Sequence, residues 1–470
     1  MDDYINKILG NLNISFDKNK KTICIGYDNW IIGGVEKVLL TLMDHLVFDY
    51  NIIMILPELD NKKASFPIPD SIGVIHLNDS IAPYDELCVA CCTRLKVDLF
   101  VGNANLNCKQ LTIYKKLKEA GIKSIMLNHY FWLFPCWHEI LYSKEIVTRN
   151  NCLQYPDAIA CLTNVSSKIC SLNANRTICV MPNPNFFEVQ PSISYEEREN
   201  VIVTVGRYDD RLKRLDKILK IFSQVHKEDK SIKLIVVGPV NYEETFGKSL
   251  EQELIDLSLP VESVEFVGPQ PDVSIYYKKA RAFLFASEFE GFGLVLNEAA
   301  CFGLPIVTSY FLGVEDLVEY DKNGYFYKEE SDAKKHLLDI LHDTEKWNEM
   351  SQYCNEKAKT FSKEFLIQRW KTLISLVLNN EDAESLFYEN DLACEKQLTY
   401  LEEKQLTYLE YEGIIKEYEK IVEEASQRIN RADAAQDFLS NSLEHERKLY
   451  SNPSFKHLIK VFIKKIFRIH

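Results

Sequence analysis

A glycine-containing turn flanked by two glutamates is the sharpest functional signal in the sequence. The apolar segment AFLFA (282–286) predicts a buried strand, the turn holds Gly291 and Gly293, and a helical pattern follows. The glycines let backbone N–H groups approach a ligand, and the helix N-terminus favours a diphosphate. Glu298 in the helix can accept hydrogen bonds from a ribose diol, and Glu290 can hold sugar hydroxyls. A helix cap and a solvated face are the alternative for these glutamates.

Two cations follow another predicted strand. Arg207 comes directly after VIVTVG (201–206), and Lys213 lies six positions later. Cations at a strand end can neutralise the negative charge that develops on a departing phosphate. A cation clamp with backbone N–H groups can replace a divalent metal. Asp209 and Asp210 are adjacent and flanked by cations, so we expect no metal and no bound cofactor.

A histidine ends a third predicted strand. His129 follows KSIMLN (123–128) and precedes an aromatic cluster that includes Tyr130 and Trp132. At a strand end that faces a cleft, the imidazole is a candidate to contact substrate, and a histidine satisfied in the core is the alternative. The aromatic residues are assigned to packing, although Tyr130 or Trp132 can face an acceptor. No general base stands out.

Alternating strand and helix patterns position these residues. Strands are predicted at 22–27, 50–56, 73–77, 97–102, 123–128 and 158–162, and again at 201–205, 233–237, 265–267, 282–286 and 305–308. Helices are predicted at 215–226, 274–280, 294–302, 333–342 and 365–378. This order predicts an α/β architecture of two Rossmann-like, doubly wound domains, residues 1–186 and 187–380, that face a cleft.

Two further segments follow the domains. Residues 381–451 are rich in Glu, Lys, Leu and Tyr and contain the octapeptide EKQLTYLE twice in succession, which predicts a helical, coiled-coil extension and a homo-oligomer. Residues 452–470 carry an apolar helical face beside a ladder of cations without acids. This composition predicts an amphipathic helix on an anionic membrane surface, and a helix that docks on protein is the alternative.

The composition excludes some classes of function. In 470 residues, 55 Lys and Arg stand against 69 Asp and Glu, a formal net charge of −14. Phosphate backbones require clustered Lys and Arg, so we expect no nucleic-acid partner. Ten of the thirteen cysteines precede residue 180, which predicts reduced core thiols, and the CxxC at 88–91 has no second pair to complete a zinc site. Without a signal-peptide pattern or a long apolar run, we expect a cytoplasmic protein, peripheral on the inner face of the membrane.

The segment EFEGFGLVLNEA (288–299) resembles the signature of the retaining GT-B glycosyltransferases of family four. Other motifs match in order over roughly residues 20–378: GGVE (33–36), His129, MPN (181–183), and VGR (205–207) with Lys213. The resemblance implies a GT-B fold. Two features depart from the pattern: Asn183 is followed by proline instead of glycine, and the gap between Arg207 and Lys213 is one residue longer than usual.

The resemblance also implies a role for each matching residue. Gly33 and Gly34 form a glycine loop, His129 and Glu290 contact the donor sugar, Arg207 and Lys213 bind the diphosphate, and Glu298 binds the ribose. The remaining donor-binding positions are Asn183, Gly291, Phe292, Gly293 and Leu294. Lys213 takes its role in preference to Arg211.

These features predict a retaining glycosyltransferase that moves a sugar from a nucleoside-diphosphate donor to a glycan or lipid-linked acceptor, in bacterial-type surface polysaccharide or glycoconjugate synthesis. In such enzymes the donor phosphate helps to deprotonate the acceptor hydroxyl on the same face of the sugar. A nucleotide-sugar epimerase on the same scaffold is one alternative. A catalytically silent coiled-coil scaffold protein is another.

Overall fold

The computed structural model describes residues 1–381 except 13, 28–29, 31–32, 59–65, 104–107, 130–151, 174–175, 192 and 312. The amphipathic segment 452–470, the extension 381–451 after its first residue, and the aromatic residues Tyr130 and Trp132 lie outside this range. The two sheets described below belong to one compact unit.

The first sheet has seven parallel strands, and its inner strands, such as β1 and β6, are buried on both faces, as expected for a parallel sheet covered by helices. Its strands are β1 (Thr22–Gly26), β2 (Asn51–Pro57), β3 (Gly73–Leu77), β4 (Leu99–Asn103), β5 (Lys123–Asn128), β6 (Ala158–Cys161) and β7 (Thr177–Val180). Its helices are α1 (Asp2–Gly10), α2 (Gly34–Leu46), α3 (Tyr84–Arg94), α4 (Cys108–Glu119) and α5 (Asn164–Asn173). The strand order is β3-β2-β1-β4-β5-β6-β7, so the direction of winding reverses between β1 and β4.

The second sheet has six parallel strands in the order β10-β9-β8-β11-β12-β13. They are β8 (Val201–Val205), β9 (Lys233–Val237), β10 (Val264–Gly268), β11 (Ala282–Phe285), β12 (Ile306–Ser309) and β13 (Gly324–Tyr327). The helices are α6 (Leu215–Glu228), α7 (Tyr242–Phe246), α8 (Leu250–Asp256), α9 (Ser274–Lys279), α10 (Leu294–Cys301), α11 (Glu330–His342), α12 (Thr344–Lys359) and α13 (Lys363–Asn379). Winding reverses between β8 and β11, and doubly wound sheets bind ligands outside the strand ends at such a point.

The predicted α/β architecture with two parallel sheets is confirmed, and the predicted strands lie where the sequence placed them. Two strands, β7 and β13, were missed; each is the last strand of its domain and lies at an edge of its sheet. Helix α12 was missed because its sequence is mostly polar: only Trp347, Met350, Cys354 and Ala358 are apolar among its buried residues, about one at each turn.

The last helix returns to the first sheet. Helix α13 lies in the segment 187–380, yet it packs against α2 and β5. The Arg369 guanidinium donates to the carbonyl oxygen of Val180 from Nε at 3.2 Å and from Nη2 at 3.1 Å. Lys371 Nζ lies 2.5 Å from a carboxylate oxygen of Asp49. This helix therefore ties the end of the described chain to the domain with which it began.

Ten cysteines whose side chains the structure describes are free thiols buried in the fold. Cys88, Cys91 and Cys92 lie on α3 and are fully buried.

In the part of the chain that the structure describes, no cluster of three or more His, Cys, Asp or Glu side chains is arranged to hold a metal ion. Within the same residues, no helix combines the length and apolarity needed to cross a bilayer.

Two glycines let the ends of β8 and β9 approach each other. Gly238 follows β9 with φ +128°, and a Cβ at this position would lie 1.9 Å from the carbonyl oxygen of Gly206. The Tyr208 N–H donates to the Pro239 carbonyl at 2.8 Å, which joins the two loops beyond the strands. Gly238 thus fixes the course of the chain on both sides of Arg207.

Replacing Gly238 by alanine is expected to destabilise the protein far more than the same change at Gly247. Gly247 also has a positive φ, +71°, but a Cβ there meets nothing within 4 Å. The backbone clash at 238 should cost about 3 kcal/mol or more, and the strain at 247 about 1 kcal/mol. Thermal unfolding of both variants beside the wild type measures the difference. Equal melting temperatures for the two variants would contradict the assigned role of Gly238.

Candidate active site

The turn after β11 is fixed by backbone conformation and packing. Gly293, which caps the N-terminus of α10, has φ +90°, a value that L side chains rarely adopt. Before the turn, the buried Ser287 hydroxyl donates to the Phe289 carbonyl at 3.0 Å. The Phe292 ring is buried and packs edge-on against the Phe361 ring, with 5.7 Å between centroids. Phe292 therefore anchors the turn, and its side chain is not free to contact a donor.

Lys213 and Glu290 meet at the reversal point between β8 and β11. Lys213 ends the 3₁₀ turn Arg211–Lys213, in which the Asp210 side chain accepts from the Leu212 N–H at 2.9 Å. The Lys213 ammonium lies 2.5 Å from Glu290 Oε1, and both side chains are largely buried. Two residues that the sequence singled out separately thus form one ion pair.

A second set of charges holds this pair in place. The Glu288 N–H donates to the Leu212 carbonyl at 2.9 Å, which ties the turn after β11 to the 3₁₀ turn. The Arg214 guanidinium binds the Glu288 carboxylate and forms a paired contact with Asp216 at 2.8 and 2.7 Å. These carboxylates raise the pKa of Arg214 against the effect of its partial burial. Arg214 and Glu288 therefore stabilise the loops that present Lys213 and Glu290.

Arg207, unlike Lys213, is exposed and only weakly paired. Its side chain is 61% exposed, and its Nε lies 3.4 Å from an Asp209 carboxylate oxygen. An exposed ion pair at this distance contributes little stability, so the guanidinium can exchange partners at low cost. Arg207 is therefore available to an incoming anion at the end of β8.

Glu298 lies one turn into α10 in a largely buried position. Its Oε2 accepts from the Tyr277 hydroxyl at 3.1 Å, and its Oε1 lies 3.7 Å from the Lys37 ammonium. Burial raises the pKa of Glu298, whereas Lys37 and Tyr277 oppose that rise. The carboxylate is thus an oriented acceptor whose ionisation depends on its neighbours.

The glycine loop of the first sheet meets this turn. Gly33 caps α2 in extended conformation, with φ −165°, and a Cβ there would lie 2.5 Å from Glu36 Oε2. A Cβ on Gly34 would lie 2.8 Å from Leu294 Cδ1. A side chain at 33 or 34 would displace the end of the Glu36 or Leu294 side chain, so these glycines permit close approach and do not serve a positive φ. The N-termini of α2 and α10 lie beside each other.

His129 and Asn183 are both buried, 5% and 4% exposed. His129 Nε2 has no hydrogen-bond partner within the described part of the chain. Burial lowers the pKa of the imidazole to about 3, so the ring is neutral at physiological pH. A neutral imidazole can donate or accept a hydrogen bond, but it cannot supply a permanent positive charge.

The structure brings together Lys213 with Glu290, and Gly34 with Leu294. Sequence reasoning missed Lys37, Tyr277 and Arg214. The position of Lys37 directly after GGVE and the run of cations RLKR (211–214) were signals for two of them. Tyr277 gave no local signal, because only the tertiary fold places its hydroxyl against Glu298.

Sequence comparisons with known proteins find glycosyltransferases. Residues 186–361 match the family model for glycosyl transferases group 1. An uncharacterized glycosyltransferase of Haemophilus influenzae is 28% identical over 264 residues, which cover 55% of this chain and 71% of the relative. A second relative is an alpha-1,4-N-acetyl-D-galactosaminyltransferase of Campylobacter jejuni, named for an acceptor glycan on PP-undecaprenol. It is 26% identical over 234 residues. The aligned region covers 48% of this chain and 63% of that protein.

The fold is also found in solved structures. The crystal structure of Anabaena HepE in complex with UDP superposes with a TM-score of 0.63 at 18% identity and covers 76% of this chain and 99% of HepE. A HepE complex with UDP-glucose gives a TM-score of 0.61. The predicted GT-B fold is thereby confirmed.

His129 is expected to make the fold sensitive to acid. Its pKa is about 3 in the folded protein, against about 6.5 in an unfolded chain. Between these values the unfolded chain binds a proton that the folded chain does not. The contribution to stability is therefore present above about pH 6.5 and is lost as pH falls toward 3, with about 2 kcal/mol lost at pH 5.

The expectation is checked by thermal unfolding of wild type and His129→Asn at about pH 7.5 and pH 5. The variant should show the smaller fall in melting temperature on acidification. His76→Asn, at an exposed histidine of β3, is the control and should keep the wild-type fall. An equal fall in wild type and His129→Asn would contradict the burial of a neutral imidazole.

Proposed function

Since residues 186–361 belong to the glycosyl transferases group 1, we propose that this protein is a retaining glycosyltransferase that uses a nucleoside-diphosphate sugar. The sugar passes to a glycan or lipid-linked acceptor, in bacterial-type surface polysaccharide or glycoconjugate synthesis. One observation carries the proposal: the Lys213–Glu290 pair lies beside the N-terminus of α10, at the point where the winding of the second sheet reverses.

This arrangement suits a diphosphate that links the ribose of the nucleotide to the transferred sugar. The N-termini of α2 and α10 lie beside each other, and each supplies free N–H groups and a positive dipole end. Arg207 is exposed at the end of β8, and Lys213 lies in the 3₁₀ turn that follows the same strand. Glu298, four residues into α10, accepts hydroxyls of the ribose, and Glu290 accepts hydroxyls of the transferred sugar.

The chemical step follows from these roles. The bond between the anomeric carbon and the diphosphate oxygen breaks, and its electron pair remains on the diphosphate. Arg207 and Lys213 stabilise this charge, and no metal is required. The acceptor oxygen bonds to the anomeric carbon on the face that the diphosphate leaves, and its proton passes to a phosphate oxygen. Retention of configuration follows because attack and departure share one face.

The proposal is tested by donor screening and product analysis. A panel of nucleotide sugars is examined for thermal stabilisation, since a ligand that binds only the native state raises the melting temperature. The best donor is then incubated in EDTA with candidate acceptors, and the anomeric configuration of the product is read by NMR. Transfer with inversion contradicts the proposed stereochemistry, and a strict requirement for added metal contradicts the cation clamp. Absence of binding to every nucleotide sugar contradicts the function.

Glu298→Ala and Arg207→Ala are expected to fail at different steps. Loss of the ribose acceptor should weaken donor binding at least about tenfold, with a smaller effect on kcat. Loss of the exposed guanidinium should lower kcat about a hundredfold, because charge develops on the diphosphate in the transition state. Calorimetry and steady-state kinetics separate the two effects.

Matched controls are available for both variants. Arg211→Ala removes a cation from the 3₁₀ turn that also contains Lys213, and Glu251→Ala removes a glutamate from the distant helix α8. Both controls should retain wild-type binding and turnover. If Arg211→Ala lowers kcat as much as Arg207→Ala does, the diphosphate role has been assigned to the wrong cation.

The C-terminal segments belong to the same proposal. A coiled coil in 381–451 would form a homo-oligomer, and the basic amphipathic segment 452–470 would attach the enzyme to the cytoplasmic face of the membrane. The cations of 452–470 support this location on a chain of net charge −14. A lipid-linked acceptor would be within reach of an enzyme bound there.

Deletion of residues 452–470 is expected to abolish sedimentation with anionic liposomes. The segment supplies the apolar face and the clustered cations, and the rest of the chain is acidic. Sedimentation is measured at low salt with vesicles that contain anionic lipid, and neutral vesicles are the control. Unchanged sedimentation of the truncated protein would remove the proposed anchor.

A further inference from the structure

A lysine of the first domain faces the ribose-binding carboxylate of the second. Lys37 lies three residues after Gly34 in α2, and Glu298 lies four residues after Leu294 in α10. The close approach of Gly34 to Leu294 sets the two helices side by side at their first residues. One turn further along each helix, the Lys37 ammonium and Glu298 Oε1 are 3.7 Å apart. The pair thus spans the two domains.

Two aromatic rings also contact the Lys37 ammonium. It lies 4.1 Å from the ring centroid of Phe186 and 5.5 Å from that of Phe187. Both aromatic residues belong to the segment that joins β7 to β8. Cation–π attraction at these distances favours the rotamer that points the ammonium at Glu298. The lysine is therefore oriented by the connection between the domains as well as by its own helix.

The other carboxylate oxygen of Glu298 has its own donor. The Tyr277 hydroxyl donates to Oε2 at 3.1 Å, and the Tyr277 ring is fully buried and stacks on Phe302. With one partner on each oxygen, the carboxylate plane is fixed. Each oxygen still has a lone pair for a further hydrogen bond. This is the geometry needed to accept two hydroxyls of one ribose.

We propose that Lys37 is a positioning residue for ribose recognition, an inference that rests on the proposed function. From the first domain, it holds the Glu298 carboxylate ionised and oriented toward the 2′- and 3′-hydroxyls of the nucleotide. Preference for a ribonucleotide over its 2′-deoxy form therefore depends on a residue outside the nucleotide-binding domain. Donor recognition is complete only when α2 lies against α10.

The charge of Lys37 matters because Glu298 is buried. The titratable groups that face Glu298 are Lys37 of α2, Tyr277 of α9 and Cys301 of α10. Lys37 is the cation among these groups, so its loss raises the pKa of the carboxyl further. A protonated carboxyl accepts diol hydrogen bonds poorly. Without Lys37, ribose preference is therefore expected to be weak at low pH and to recover as pH rises.

The experiment uses the full chain and calorimetry. The nucleoside diphosphate that best stabilises the wild type is chosen from UDP, GDP, ADP and CDP, and its Kd is compared with that of its 2′-deoxy form at about pH 5.5, 7 and 8.5. The variants are Lys37→Met, Lys37→Arg and Lys227→Met, the last at an exposed lysine of α6 as a matched control.

The wild type, Lys37→Arg and Lys227→Met should prefer the ribonucleotide about tenfold at every pH. Lys37→Met should reduce this preference to about twofold at pH 7 and regain part of it at pH 8.5. An unchanged preference in Lys37→Met overturns the role of Lys37 and leaves the proposed function standing. A wild type that binds none of the four nucleotides overturns the proposed function and this inference with it. A purely structural lysine would lower the affinity for both forms equally, which also overturns the inference.

Discussion

All strands of a parallel sheet end at the same edge, and the candidate site depends on this constraint. The 3₁₀ turn after β8 and the turn after β11 are about eighty residues apart in sequence, yet their strands are neighbours in the sheet. Lys213 and Glu290 consequently meet at 2.5 Å. An ion pair this sheltered has lost much of its hydration, so it persists only with supporting contacts. Arg214, Glu288 and the backbone bond to Leu212 supply them.

The same constraint acts in the first domain, where winding reverses between β1 and β4. The loop after β1 leads to Gly33 and Gly34, and the missing side chains allow α2 to begin against Leu294 of the other domain. Two glycine turns, one from each sheet, thus face each other. Helix α13 reinforces this arrangement, because it belongs to the later sequence and packs on the first sheet.

Electrostatics gives the charged residues of the site distinct roles. Lys213 is paired and sheltered, whereas Arg207 is exposed and weakly paired, so the strand ends carry one fixed cation and one adaptable cation. Glu298 is buried, and its ionisation depends on a lysine from the other domain. His129 is neutral because it is buried. Burial and pairing, more than residue type, therefore decide what each group can do.

The sequence by itself determined the strand and helix order, the two parallel sheets, and the turn and helix that hold Glu290 and Glu298, because hydrophobic period and glycine placement are local properties. It predicted Phe292 as a donor-binding residue but could not show that the Phe292 ring packs on Phe361. It did not find Tyr277 or the pairing of Lys37 with Glu298, since these contacts join helices that are distant in the chain. Only the tertiary structure decided which charges are paired and which are free, because pairing depends on distance and burial, and local sequence encodes neither.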